Sequence, residues 1–181
     1  SGSKKHLLTG LFLDRSAPLY NMASSMFLTG INEELLFLYC NERLNNRMNL
    51  SMFKRLYEEA RGQTRLILQV CYHFYHLKDE KLDEEELDTV LKRIVNEVDE
   101  QFRMYFDRIP AQQRKAVKIL ARTNGVGIYS KIIMSDFATN KNQLQKAISG
   151  LYLSEEIDKN SNGYYYITDV LFALWCKAKF S

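Results

Sequence analysis

Between Asp83 and Pro110 the apolar residues Leu87, Val90, Leu91, Ile94, Val98, Phe102 and Phe106 recur every three or four positions. That spacing lines them along one face of an α-helix, whereas a strand would send alternate residues to opposite faces. Asp83 with Glu86 three residues on has the form of a capping box, in which each side chain satisfies a free backbone N–H of the first turn. At the far end, Ile109 precedes proline and is pushed out of helical conformation, and Pro110 suits the first turn of a new helix. The stripe therefore predicts one long helix, the longest in the chain, that other helices must cover.

The sequence on either side supplies those helices. Asn32 is placed to cap a helix carrying Leu35, Leu36, Leu38 and Tyr39, and Ser51 to cap one carrying Phe53, Leu56 and Tyr57. Gly62 stops the second, and Arg65 to His76 reads as a third with Leu66, Val70 and Phe74 four residues apart. Nearer the start, Ser3 is placed to cap a helix with Leu7, Leu8, Leu11 and Phe12, broken at Ala17-Pro18, and Ser25 to Leu28 reads as extended. With 2 prolines and 8 glycines in 181 residues, there is little material for a turn-rich β protein, and 46% hydrophobic residues suffice for one or two small cores. No apolar run approaches the ~20 residues that span a bilayer, and no basic-then-apolar leader opens the chain. Cys40, Cys71 and Cys176 are an odd, scattered set, as expected of buried or free thiols in a reducing compartment. A cytoplasmic protein is the expectation.

After Pro110 the pattern changes. A helix with Val117, Leu120 and Ala121 should stop at Asn124-Gly125, followed by a short extended piece at Gly127-Ile128-Tyr129. Ser130 should cap a short helix with Ile132, Ile133 and Phe137, and Asn140 a longer one with Leu144, Ala147, Ile148 and Leu151 on one face. Glu156-Ile157-Asp158, a turn at Asn160-Ser161-Asn162-Gly163, and Tyr164 to Ile167 read as a β-hairpin. Thr168 should cap a last helix with Leu171, Leu174 and Trp175. Helix, short strand, two helices and a hairpin is the order of a winged helix-turn-helix. The expected fold is mostly α: a helical bundle over residues 1–109 and a winged helix with a small hairpin wing over residues 110–181. Net charge is +3, but residues 110–181 carry 10 Lys+Arg against 5 Asp+Glu, leaving 15 against 17 for residues 1–109. The basic character lies in the C-terminal part.

Several segments, in order, resemble the C-terminal portion of prokaryotic ATPases of the AAA+/STAND type, the archaeal-ATPase-like group. Ser1-Gly2-Ser3, His6-Leu7-Leu8, Phe12 and Pro18-Leu19-Tyr20 resemble the stretch after that family's sensor-1 strand. Gly62-Gln63-Thr64-Arg65, opening a helix, resembles the lid signature Gly-x-Pro-Arg or Gly-x-x-Arg. Ile109-Pro110 with Gln113-Arg114-Lys115-Ala116, and Tyr166-Ile167-Thr168-Asp169 with Phe172 and Trp175, resemble the start and end of its winged helix. Thr64 and Val170 stand where the family often has proline. A Gly-rich loop ending in Lys-Ser/Thr and an acidic strand end for Mg²⁺ do not occur in the sequence. The resemblance implies the end of an ATPase core, a helical lid and a winged helix, regulatory and not catalytic as this stretch. ATP and Mg²⁺ are expected only with the missing N-terminal ATPase half. An independent winged-helix DNA-binding transcriptional regulator with a helical dimerisation domain is the alternative.

The resemblance gives Arg65 the role of a sensor-2 arginine, reaching a γ-phosphate from the first turn of a lid helix. It places Ser3, with Ser1, near the nucleotide. Arg15, in the loop after the sensor-1-like segment, reads either as an arginine finger or as a plain loop residue. On the winged helix, the outward set Asn140, Lys141, Asn142, Gln143, Gln145 and Lys146 would face a partner, with Lys159 on the wing. Amides and amines are the groups that read base edges and phosphates. DNA and a protein partner both remain open, because Glu155 and Glu156 follow at once and Arg114, Lys115, Lys118 and Arg122 lie on another helix. Cys71, His73 and His76 do not share a helix face, so helix packing is expected there and no metal. Of Tyr164, Tyr165 and Tyr166, one or two are expected in the core, with the middle one exposed.

Overall fold

The computed structural model describes residues 30–77 and 82–181, together with Phe12, Arg15, Ser16, Leu19, Tyr20 and Met22. Of the first expected helix only Phe12 is among them, and the extended segment at Ser25 to Leu28 lies outside them. The order is α1 Glu33–Arg43, α2 Leu50–Glu59, α3 Thr64–His76, α4 Glu84–Glu97, α5 Asp99–Arg108, α6 Ala111–Thr123, α7 Lys131–Asp136, α8 Lys141–Leu153, β1 Ile157–Lys159, β2 Tyr165–Ile167 and α9 Val170–Phe180. The protein is mostly helical, and β1 and β2 pair antiparallel with Ile157 opposite Ile167 and Lys159 opposite Tyr165. No helix among the described residues is long and apolar enough to cross a membrane.

Most helix starts follow local chemistry. Asn32 accepts from the N–H groups of Glu34 and Leu35, Ser130 from Ile133, and Asn140 from Gln143. At α4, Asp83 and Glu86 form the reciprocal capping box. Two starts sit elsewhere than expected. Asn49, not Ser51, caps α2 by accepting from Met52 N–H at 2.8 Å. Asp169, not Thr168, caps α9 by accepting from Phe172 N–H at 2.9 Å. Thr168 instead donates its hydroxyl to the carbonyls of Glu155 and Glu156, which fastens the end of β2 to the start of β1. A third correction concerns residues 127–129, which form turns and not a strand. Asn124, Gly125 and Gly127 all take positive φ, and this coils the chain instead of extending it.

The long apolar stripe is not one helix. It breaks at Val98 (φ −109°, ψ 8°), which ends α4 and starts α5. The break separates two cores. Leu36, Met52, Phe53, Leu56, Ile67, Phe74, Leu87 and Ile94 belong to the first, built by α1 to α4. Val95, Phe102 and Phe106 belong to the second, with Ile119, Leu144, Ile148, Phe172 and Trp175. Side chains before Pro110 thus help to form the core of the C-terminal part. Helix α9 joins the two: Val170 packs into the first core, while Phe172, Trp175 and Cys176 pack into the second. The Phe172 and Trp175 rings stack at 5.7 Å, with Phe102 against Phe172 at 5.2 Å and Phe106 against Trp175 at 5.8 Å. In α1 the buried residues are Leu36 and Cys40, while Leu35, Leu38 and Tyr39 of the expected apolar set are exposed.

Polar side chains lock these elements together. Asp99, just after the break, accepts from Trp175 Nε1 at 2.7 Å and pairs with Lys179 at 2.9 Å and Arg103 at 2.8 Å. These contacts tie α5 to α9. Arg55 of α2 pairs with Glu59, and with Glu84 and Asp88 of α4. Arg47 donates to the carbonyls of Phe74 and Leu77, which serves the free acceptors at the end of α3.

Candidate functional site

Between α2 and α3 the chain reverses over four residues. Ala60 is helical, Arg61 and Gly62 take φ of 48° and 68°, and Gln63 precedes α3 without a side-chain cap. Gly62 is required by its surroundings as well as by its φ, because a Cβ there would lie 3.0 Å from the Tyr57 hydroxyl. That hydroxyl donates to Ile31 O at 2.8 Å, so the turn also fixes the entry to α1. Arg65 follows in the first turn of α3. It is exposed and makes no hydrogen bond or ion pair among the described residues. The buried face of α3 is Leu66, Ile67, Val70, Cys71 and Phe74, so the helix packs without the guanidinium. A cation at a helix N-terminus also opposes the helix dipole.

Arg61, four residues earlier in the same reversal, points the other way. Its Nη1 donates to the carbonyl of Ile167, the last residue of β2, and its guanidinium lies 4.9 Å from the centre of the Tyr166 ring. Glu58, Glu59, Asn124, Tyr166 and Lys177 surround it in a cleft of about 190 Å³ between the two cores. Next to Asn124, Gly125 lies so near β2 that a Cβ would meet Tyr165 O at 2.1 Å. The α2–α3 turn, the hairpin and the end of α6 therefore meet at one place. Burial pushes the Tyr166 phenol above its ordinary value, Asp158 adds to the rise, and the Arg61 charge opposes it. Gly62 and Arg65 stand out in the sequence, whereas Arg61 does not. The Arg-Gly pair marked a turn but carried no sign of a partner 106 residues away.

The proposed partner-reading residues lie together on one exposed surface. Asn140, Lys141, Asn142, Gln143, Gln145 and Lys146 are all exposed, on the face of α8 opposite Leu144, Ala147, Ile148 and Leu151. Asn140 is partly engaged as the cap, and the Gln143 amide oxygen accepts from the Thr139 hydroxyl at 3.4 Å. Lys141 and Lys146 make no hydrogen bond or ion pair among the described residues. Lys159 sets its ammonium 4.8 Å from the Tyr165 ring. The basic residues of α6 are occupied differently. Arg114 pairs with Asp107 at 3.4 Å, Lys115 donates to Ala138 O at 3.0 Å, and Arg122 pairs with Asp136 at 3.1 Å. Lys118 lies 4.8 Å from the Phe180 ring. The Glu156 carboxylate lies beside the Tyr105 phenol of α5. Burial first, and then that carboxylate, pushes the Tyr105 phenol up.

Other candidates are not assembled. Ser3 lies outside the described residues. Arg15 is exposed in a turn and makes no hydrogen bond or ion pair among them. No group of three or more His, Cys, Asp or Glu side chains able to hold a metal occurs among them. His76 packs its ring at 4.6 Å from Tyr72, and Cys71 is buried on the inner face. In the tyrosine run the outer residue, Tyr164, is the exposed one, and the middle residue is half-buried. Tyr165 packs against Tyr152 at 6.4 Å, and Tyr164 precedes the strand, so strand alternation does not reach it. The chain matches no family model, no curated protein and no solved structure.

Proposed function

We propose that this chain is the lid and winged-helix regulatory part of an ATP-binding protein of the AAA+/STAND type. In this reading α1 to α4 form the lid, and α6 to α9 with the hairpin form the winged helix, with β1 and β2 as its wing. The observation that carries it is the reversal between α2 and α3. One side presents Arg65, unpaired among the described residues, and the other side holds the hairpin, the wing of this reading, through Arg61. ATP and Mg²⁺ would be held by an N-terminal half outside this sequence, which would supply the phosphate chemistry. An exposed guanidinium on the first turn of a helix, with no partner among the described residues, suits contact with an anion. Displacing Arg65 toward phosphate would pull the start of α3 and the turn preceding it. The Arg61 contact would pass that displacement to β2 and the winged helix.

The test is ATP turnover and melting temperature of the full-length protein carrying Arg65→Ala. Loss of one preorganised charge contact to a developing phosphate is expected to lower turnover by on the order of 10²-fold. The melting temperature should hardly move, because the side chain is exposed. Unchanged turnover refutes the sensor role, and a large fall in melting temperature shows that Arg65 is structural. The 181-residue chain alone should bind Mg-ATP weakly at best, and micromolar affinity by calorimetry would count against the assignment.

One observation favours nucleic acid as the winged helix's partner: Lys141 and Lys146 are unpaired among the described residues, beside exposed amides on α8, while the cations of α6 are engaged within the protein. In a gel-shift series, Lys141→Ala with Lys146→Ala should weaken DNA binding more than Arg114→Ala with Lys115→Ala. Binding should also fall steeply with salt. The opposite ranking removes α8 as the reading helix. No shift with any duplex leaves the face to a protein partner.

A further inference from the structure

We propose that Cys40 and Cys71 form a peroxide-oxidised dithiol site that reversibly links α1 to α3. The two residues lie on separate helices yet meet in the first core, with relative exposures of 2% and 8%. They also line one cavity of about 300 Å³, open to solvent and walled by Tyr39, Tyr72, Tyr75 and Arg43. Few buried cysteines have such access, since a thiol sealed in a core is inert to oxidants. Both residues belong to the same core and border the same cavity, so α1 and α3 bring the two thiols together at one helix interface. Arg43, one turn after Cys40, lies over the Tyr39 ring with its guanidinium carbon 3.5 Å from the ring centre. Its positive charge reaches Cys40. The neighbouring Cys71 thiol first, and then the Arg43 charge, lower the Cys40 thiol below its ordinary value, against the effect of burial. Arg43 shares α1 and the cavity wall with Cys40, which makes Cys40 the attacking sulfur and Cys71 the resolving one.

The chemistry balances with a hydroperoxide as oxidant. The Cys40 thiolate attacks the peroxide O–O bond. An S–O bond forms, the O–O bond breaks and the other oxygen leaves as hydroxide or alcohol, so that Cys40 becomes a sulfenic acid and the peroxide is reduced by two electrons. Cys71 then attacks that sulfur. The S–S bond forms, the S–O bond breaks and water leaves with the Cys71 proton. A dithiol reductant reverses the link by exchange. Cys176 is the internal control: it is buried in the second core, and burial, followed by the Asp169 charge, pushes its thiol up.

The experiment treats the reduced chain with hydrogen peroxide and maps tryptic peptides without reduction. The expected product joins the peptide ending at Arg43 to the one beginning at Leu66, lacks two hydrogens, and disappears with dithiothreitol. Oxidation at Cys40 should run on the order of tenfold faster than at Cys176, the difference expected between an activated and a buried thiol. Cys71→Ser should arrest the reaction at a Cys40 sulfenic acid that dimedone traps, and Cys40→Ser should leave Cys71 reduced. Circular dichroism confirms that each variant is folded. Oxidation of folded wild type without a Cys40–Cys71 link overturns the proposal. So does a dimedone adduct on Cys71 in preference to Cys40, or a Cys176 rate equal to that of Cys40.

Discussion

Replacing Arg61 with methionine tests whether the α2–α3 turn holds the hairpin. Methionine keeps most of the aliphatic stem while removing the guanidinium. The substitution leaves the backbone comparison fair, since both residues meet the same strain at φ 48°. Two interactions disappear: the donation to Ile167 O and the contact with the Tyr166 ring. A hydrogen bond to a charged group contributes about 1.5–3 kcal/mol, and the partial exposure of Arg61 puts this one at the lower end. A cation–π contact at such a site adds about 0.5–1 kcal/mol. Water entering the cleft can satisfy Ile167 O, so the net loss should be about 2 kcal/mol. For a chain of this size that corresponds to a melting temperature lower by about 4–8 °C. Hydrogen exchange supplies the local readout. The Thr168 N–H, bonded to Glu156 O at 3.0 Å, and the amides of β1 and β2 should exchange faster in Arg61→Met. Amides in α2, such as those bonded within its first turns, should be less affected. Arg61→Lys should fall between, because an ammonium keeps the charge but not the planar fork. Unchanged melting and unchanged hairpin exchange would refute the clasp and, with it, the coupling route from Arg65 to the wing.

Other consequences can be checked separately. Gly125→Ala should destabilise by about 1–3 kcal/mol from its φ of 81° alone, and more from the contact its Cβ would make with Tyr165 O, as read from a denaturant midpoint. Lys179 first, then Trp175, hold Asp99 down at about 2, below its ordinary 3.8. Its contribution is therefore fully present above pH 3.8 and is lost as pH falls toward 2. Asp99→Asn should flatten the stability profile in that window, and an unchanged acid limb would show that Asp99 does not carry it. Asp83→Ala removes the acceptor for Glu85 and Glu86 N–H and should cost about 1 kcal/mol, most visibly as faster exchange in the first turn of α4.

Features set by neighbours in the chain were legible in the sequence. Asn32, Ser130 and Asn140 cap their helices, Asp83 and Glu86 close their box, and Asn124 ends α6 in left-handed conformation, each through atoms a few residues apart. The hairpin was legible for the same reason, since Asn160 Oδ1 holds its turn by accepting from Asn162 and Tyr164 N–H. The inward face of α8 followed from helical period alone, and so did the exposure of Lys141 and Lys146. Where distant side chains compete, sequence pattern was insufficient. The stripe from Leu87 to Phe106 keeps its period across Val98, yet the helix breaks there. Asp99 bonds to Trp175 and Lys179, and Phe102 and Phe106 turn into a second core. Strand propensity at Ile128 gave way to three left-handed residues around it. Arg61 was invisible because its partner carbonyl comes from the last residue of β2. The Cys40–Cys71 meeting depends in the same way on how α1 packs on α3. Caps and periods are energies of adjacent residues and can be read along the chain; which arginine meets which carbonyl is decided only when the two cores close on α9.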